Sequence, residues 1–130
     1  MNKSKEETIR FRLDKSNEVM REAKALVAIK SWSGTVSRLY YSAFHVVSAL
    51  MLDRDIRIKA HSGAKAMSEL HFIKTGEVES KWSKFYTRLF ENRNDSDYED
   101  FAVFTADDVL PLVPQTEEFI DVIKRLITKS

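Results

Sequence analysis

The residues best equipped for chemistry sit in one short stretch, Phe90 to Phe101, which reads FENRNDSDYEDF. Just upstream, Trp82, Phe85, Tyr86, Leu89 and Phe90 recur at helical spacing and make one apolar face. Arg93 falls four residues after Leu89 and seven after Tyr86, so its guanidinium lies on or beside that face. A cation placed there needs a carboxylate, a carbonyl or an anionic ligand, because burying it unpaired is expensive. Asp95, Asp97 and Tyr98 follow within one or two turns and can supply the partner. The chemistry open to Arg93 is stabilisation of negative charge, on a phosphate for example.

A second group lies earlier in the chain. Tyr41 and His45 are four apart on one helical face, with Arg38 close to it. His45 reads either as a core histidine satisfied by a tyrosine or a carbonyl, as a ligand or interface contact, or as a catalytic base. His61, in His61-Ser62-Gly63, stands at the opening of a helix whose free N–H groups can hold a phosphate unless its own side chains cap them. The three histidines, His45, His61 and His71, lack the spacing of metal ligands. Asp95 and Asp97 sit beside Arg93, where an internal ion pair explains them better than a cation does. There is no Gly-rich phosphate loop, no helical His-x-x-x-His pair, no cysteine cluster and no nucleophile elbow. The expectation is no metal and no cofactor.

These residues have to be positioned by helices, because nothing in the chain reads as a strand. An amphipathic pattern over 5–31 carries Ile9, Leu13, Met20, Ala23 and Val27 in a stripe, widened by Leu26 and Ile29, with charges of both signs between them. Gly34 then reads as a residue just past a helix end, with Ser33 or Thr35 as the next cap. Residues 35–53 are apolar nearly all round, which predicts a helix at the centre of a bundle or between two subunits. A shorter helix over about 62–75 has Ala66, Met67, Leu70 and Ile73 inward, and Gly76 closes it. The aromatic helix spans about 80–94, followed by a loop over 95–104. From Thr105 onward, an N-cap and early acids lead into a last helix bearing Val109, Leu112, Val113, Phe119, Ile120, Ile123, Leu126 and Ile127. Pro111 and Pro114 interrupt it, but the apolar period runs through them, so one kinked helix is expected. The fold class is all-α, an up-and-down bundle of about five helices.

Composition sets the outer bounds. The 130 residues suit one domain, 1–130, with a proper core. Glycine (3) and proline (2) are too scarce for a fold rich in tight turns. A net charge of +1 gives no global attraction to nucleic acid, so any such contact has to be a local patch. The absence of cysteine excludes disulfides and fits a reducing cytosol. The charged start shows no secretory signal, and no apolar run is long enough for a membrane span. A cytoplasmic protein with no membrane contact is the expectation.

Three segments in this order, SRLYYSAFHVVSALML, HSGAKAMSELHFIKTG and LFENRNDSDYEDF, lead to a closing helix of the TADDV…EEFIDVIKRL kind. Together they resemble the HEPN superfamily (higher eukaryotes and prokaryotes nucleotide-binding domain), in its small stand-alone prokaryotic branch. The resemblance covers about residues 35–127. It implies an all-α bundle, a homodimer, and in many members a metal-independent endoribonuclease. There an arginine, a polar residue and a histidine four to six positions later, one set from each subunit, face each other across a cleft. Other members are toxin partners of minimal nucleotidyltransferases, or have lost catalysis and serve in binding an RNA or nucleotide. Carried onto this chain, the motif arginine is Arg93 and the polar residue Asn94.

The histidine position is filled by Tyr98, and no histidine follows His71. RNA cleavage without a metal needs a base for the 2′-hydroxyl and a cation for the phosphate. Arg93 meets the second need. A tyrosine is a poor base near neutrality, and the acids Asp95, Asp97 and Glu99 repel a phosphodiester. The expected function is therefore a catalytically degenerate homodimeric module that binds a nucleotide, an RNA or a nucleotidyltransferase partner within a toxin–antitoxin type of system. The alternative is an endoribonuclease toxin using Arg93 and Tyr98, with His45 as a substitute if the fold brings it near. The expected site is Arg93, Asn94 and Tyr98 for chemistry, and Arg93, Asp97, His45, Tyr41 and His61 for ligand contact.

Overall fold

The computed structural model describes residues 4–57, 75–98 and 103–127. All the described secondary structure is helical: α1 (Lys5–Ala28), α2 (Trp32–Asp53), α3 (Ser80–Tyr98), the single turn α4 (Ala106–Val109) and α5 (Leu112–Ile127). The expected helix over 62–75, with His61 and His71, lies outside the described residues except for Thr75, which is in a turn. Side-chain partners fix the topology. Arg12 meets His45, and Glu22 meets Arg38, so α1 and α2 run antiparallel. Tyr40 stacks on Tyr86, and Ser33 meets Ser96, so α3 returns along α2. Lys24 reaches Glu117 and Lys124 reaches Asn17, which sets α5 antiparallel to α1. The result is the up-and-down bundle that the periodicity predicts.

Helix α2 is the hub. Twelve of its residues are buried, Thr35, Val36, Leu39, Tyr40, Ser42, Ala43, Val46, Val47, Ser48, Ala49, Leu50 and Met51, and it packs against α1, α3 and α5. That is the consequence of a helix apolar almost all round. Small residues bring α1 close: the Ser16 hydroxyl donates to the Ser42 carbonyl at 2.8 Å, and the Ser42 hydroxyl donates back to the Ser16 carbonyl at 2.9 Å. Both serines are fully buried, so this reciprocal pair satisfies polar groups that the charged pattern of α1 had concealed. On the other side, Phe119 stacks on Tyr86 and packs against Trp82 and Phe85, closing α5 onto α3.

Several boundaries differ from expectation for local reasons. Helix α1 ends at Ala28, not near residue 31, and α2 begins at Trp32 with Ser31 as its N-cap position. Gly34, expected just past a helix end, sits inside the first turn of α2; Ser33 and Thr35 are likewise helical rather than capping. The left-handed residue is Lys30, at φ 60°. Around it, the Lys30 N–H bonds to the Val27 carbonyl and the Ser31 N–H to the Leu26 carbonyl, a Schellman closure made without glycine. The same device ends α2, with Asp55 at φ 59° and the Ile56 N–H on the Met51 carbonyl. Gly34 serves a different need, since a Cβ there would lie 3.0 Å from Ser31 Oγ and 3.1 Å from a Leu26 methyl. Ile29, expected to widen the α1 stripe, is the C-cap residue and 72% exposed.

The last helix is divided, not merely kinked. Thr105 caps α4 with a full capping box to Asp108, and the run stops at Val109. Pro111 and Pro114 have no N–H to give to the carbonyls one turn back, which leaves Leu110–Pro111 as the break. Pro114 then falls in the first turn of α5, where a missing N–H costs nothing. The aromatic helix, in contrast, runs past residue 94 to Tyr98, so the expected 95–104 loop loses its first turn to α3.

Candidate functional site

Tyr40 and Tyr41 are neighbours on α2 and point to different places. Tyr40 is fully buried among Phe44, Tyr86 and Phe90, while Tyr41 is half-buried at the rim. Burial pushes the Tyr40 phenol up to about 12, with the Tyr86 hydroxyl and the Arg93 cation pulling the other way; burial also raises Tyr86 well above its ordinary value. These two phenols therefore stay neutral and act as scaffold.

Arg93 projects from α3 into this aromatic corner, with its side chain 13% exposed. Its Nη2 donates to the Tyr41 hydroxyl at 2.6 Å and its Nη1 to Asn94 Oδ1 at 3.1 Å. Its Nε lies 2.9 Å from Asp97 Oδ2, an i,i+4 ion pair. The guanidinium carbon stands 5.3 Å from the centre of the Tyr41 ring and 6.0 Å from that of Tyr40, within range of cation–π attraction. The cation expected on the apolar face is there, and the carboxylate expected to meet it is Asp97. That pair supports the added turn from within α3, and the Ser96 hydroxyl, which donates to the Ser33 carbonyl at 3.1 Å and meets the Ser33 hydroxyl, fastens it to α2.

Beside Arg93 an open cleft of about 400 Å³ is lined by Leu26, Ser33, Gly34, Ser37, Arg38, Ser96 and Asp97. Ser33, Ser37, Ser96 and Arg38 were not among the expected site residues. A signal existed for Ser37 and Arg38, since Gly34, Ser37, Arg38, Tyr41 and His45 share one face of α2 at helical spacing. Arg38 also reaches Glu22 of α1 at 3.4 Å.

His45 sits one turn beyond Tyr41 on α2 and is engaged by α1. Its Nδ1 is 3.1 Å from Arg12 Nη1. A guanidinium can only donate, so Nδ1 accepts and the proton of the neutral ring is on Nε2. The structure thus brings together Arg93, Asn94, Asp97 and Tyr41, and holds His45 to Arg12. Tyr98 is in the last turn of α3, and its side chain, like His61, lies outside the described residues.

An all-helical bundle with a half-buried arginine clamped between its second helix and the aromatic helix defines the class of protein. The HEPN domain family model matches residues 9–126, and the chain belongs to the HEPN family. A UPF0332 protein of Thermotoga maritima is 35% identical over 123 residues, covering 95% of this chain and 93% of its own. A protein of Methanocaldococcus jannaschii named "Putative toxin MJ0605" is 28% identical over 127 residues, 98% of this chain and 94% of its own. A second from the same organism, "Putative toxin MJ0142", is 28% identical over 119 residues, 91% of this chain and 81% of its own. No described helix is long and apolar enough to cross a membrane.

Proposed function

We propose that this chain is a homodimeric HEPN module that binds an anionic ligand, a nucleotide or an RNA phosphate, at Arg93 without cutting it. The observation that carries the reading is the Arg93 clamp: a shielded guanidinium held by Tyr41, Asn94 and Asp97 beside an open, hydroxyl-lined cleft. Such a fork is shaped to accept phosphate oxygens once Asp97 yields its place. The family motif has tyrosine, Tyr98, where the cleaving members carry histidine, and the one histidine near the clamp along α2 is bonded to Arg12. A partner nucleotidyltransferase within a toxin–antitoxin type of system fits the same reading, as does a cytoplasmic setting. The second reading is an endoribonuclease toxin using Arg93 and Tyr98, and the relatives named as toxins favour it.

Titrating a fluorescent single-stranded RNA oligonucleotide and a labelled nucleotide into the wild type, Arg93→Ala and Arg93→Lys, with chelator present, tests both. The expected result is binding that weakens at least about tenfold in Arg93→Ala and is only partly restored by lysine, with the oligonucleotide left intact. Strand scission that disappears in Arg93→Ala transfers the site to the second reading. Absence of binding in the wild type overturns the first.

A further inference from the structure

Three arginines border one side of the bundle, and they are not equally provided for. Gly34, Ser37, Arg38, Tyr41 and His45 form one face of α2, and the cleft beside Arg93 lies along the first half of it. Leu26 walls that cleft on the α1 side. Arg12 stands fourteen residues before Leu26, about four full turns, and so projects from the same side of α1. Arg93 meets Asp97 at 2.9 Å and Arg38 meets Glu22 at 3.4 Å, so two of the three guanidiniums have a carboxylate. Arg12 is half-buried, meets His45 Nδ1 at 3.1 Å, and pairs with no described carboxylate.

No acid lies one turn away on α1 either, where the neighbours of Arg12 are Thr8, Ile9, Lys15 and Ser16. A neutral imidazole fixes the direction of a guanidinium without offsetting its charge, and it takes one of five N–H groups. The remaining donors and the uncompensated charge suit an oxyanion that comes from outside the chain. The spacing says which kind. Arg93 is held at Tyr41 and Arg12 at His45, four residues apart on α2, or about 6 Å along its axis. The two cations also come from opposite walls, α3 and α1, which widens the gap between them. One phosphate cannot serve both. The phosphates of a diphosphate share a bridging oxygen and lie too close together, whereas those of a nucleic-acid strand are held apart by a sugar.

We infer that Arg12, where it bonds His45, is a second phosphate contact, and that the ligand of this site is an RNA strand of at least two linked nucleotides and not a free mononucleotide. The inference rests on the reading of Arg93 as the first phosphate contact. Arg12 then takes the next phosphate along the same face of α2, in the manner of grooves that track a single-stranded backbone.

Displacement of the fluorescent oligonucleotide from the full chain, with chelator present, tests it. The competitors are a 5′-phosphorylated diribonucleotide and a nucleoside 5′-monophosphate. In the wild type the dinucleotide is expected to bind at least about tenfold more tightly than the monophosphate. Arg12→Gln should erase that gain and leave the monophosphate unaffected. For the labelled oligonucleotide, the dependence of log Kd on log salt should become shallower by about 0.7 in Arg12→Gln, one phosphate contact on a single strand, and keep its slope in Arg12→Lys. Arg10→Gln removes the same charge from the exposed far side of α1 and should change neither competitor. Arg93→Ala should weaken both. A wild-type dinucleotide no tighter than the monophosphate overturns the inference without any substitution. So does a folded Arg12→Gln that binds both competitors like wild type, or an Arg10→Gln that mimics it. In those cases weakening by Arg93→Ala still upholds the clamp. A wild type that binds neither competitor nor the oligonucleotide overturns the clamp and this inference together.

Discussion

At the residue scale, the clamp already holds an anion. The Asp97 carboxylate occupies the Nε edge of Arg93, so any phosphate has to compete with it. Asp97→Asn keeps the shape and removes the charge. Affinity for an anionic ligand is then expected to rise about fivefold, roughly 1 kcal/mol, the upper range for a partly exposed pair. Isothermal titration with a nucleotide checks this, and weaker binding would mean that Asp97 orients the guanidinium for the ligand. From sequence Asp97 is one of three candidate partners, with Asp95 and Tyr98, and the structure selects it as the carboxylate one turn on from Arg93. Tyr41 was named from its own helix, but its bond to Arg93 spans 52 positions and follows only from how α3 lies on α2. The link between Arg12 and His45 was hidden for the same reason: on α1, Arg12 is one charge in a solvated alternation.

At the element scale, helices were legible wherever apolar residues recur, and boundaries were misread wherever backbone chemistry overrides that recurrence. Lys30 and Asp55 carry the left-handed turns that glycine normally takes, so the position of Gly34 misled about where α1 stops. The apolar period continues across Pro111, yet the missing N–H divides α4 from α5. A further tie could not be foreseen. Arg54, at the end of α2, grips Glu77 ahead of α3 with both terminal nitrogens, at 3.2 and 2.8 Å, and Thr75 donates to the same carboxylate. Arg54 holds the Glu77 carboxyl below its ordinary range, with Thr75 adding to the effect. Folded Glu77 therefore binds its proton less tightly than the unfolded chain does. Its contribution is fully present above the ordinary carboxylate range and drains away as the pH falls through the lowered value. Glu77→Gln should lower the urea midpoint modestly at neutral pH, by at most about 1 kcal/mol of stability. The difference from wild type should vanish in acid, as parallel urea titrations at the two pH values would show.

At the scale of the whole molecule, α1, α3 and α5 all lean on α2, and the clamp reaches that helix through Tyr41. The same helix carries the reciprocal serine pair on its α1 side and Tyr40 among the stacked rings. A compound that rearranges Arg93 therefore pulls on the axle of the domain and not on a detachable rim. Occupancy should register as a change in melting temperature that grows with the concentration of the compound. A simple heating curve recorded against a panel of nucleotides and short oligonucleotides thus becomes a way of asking this molecule what it holds.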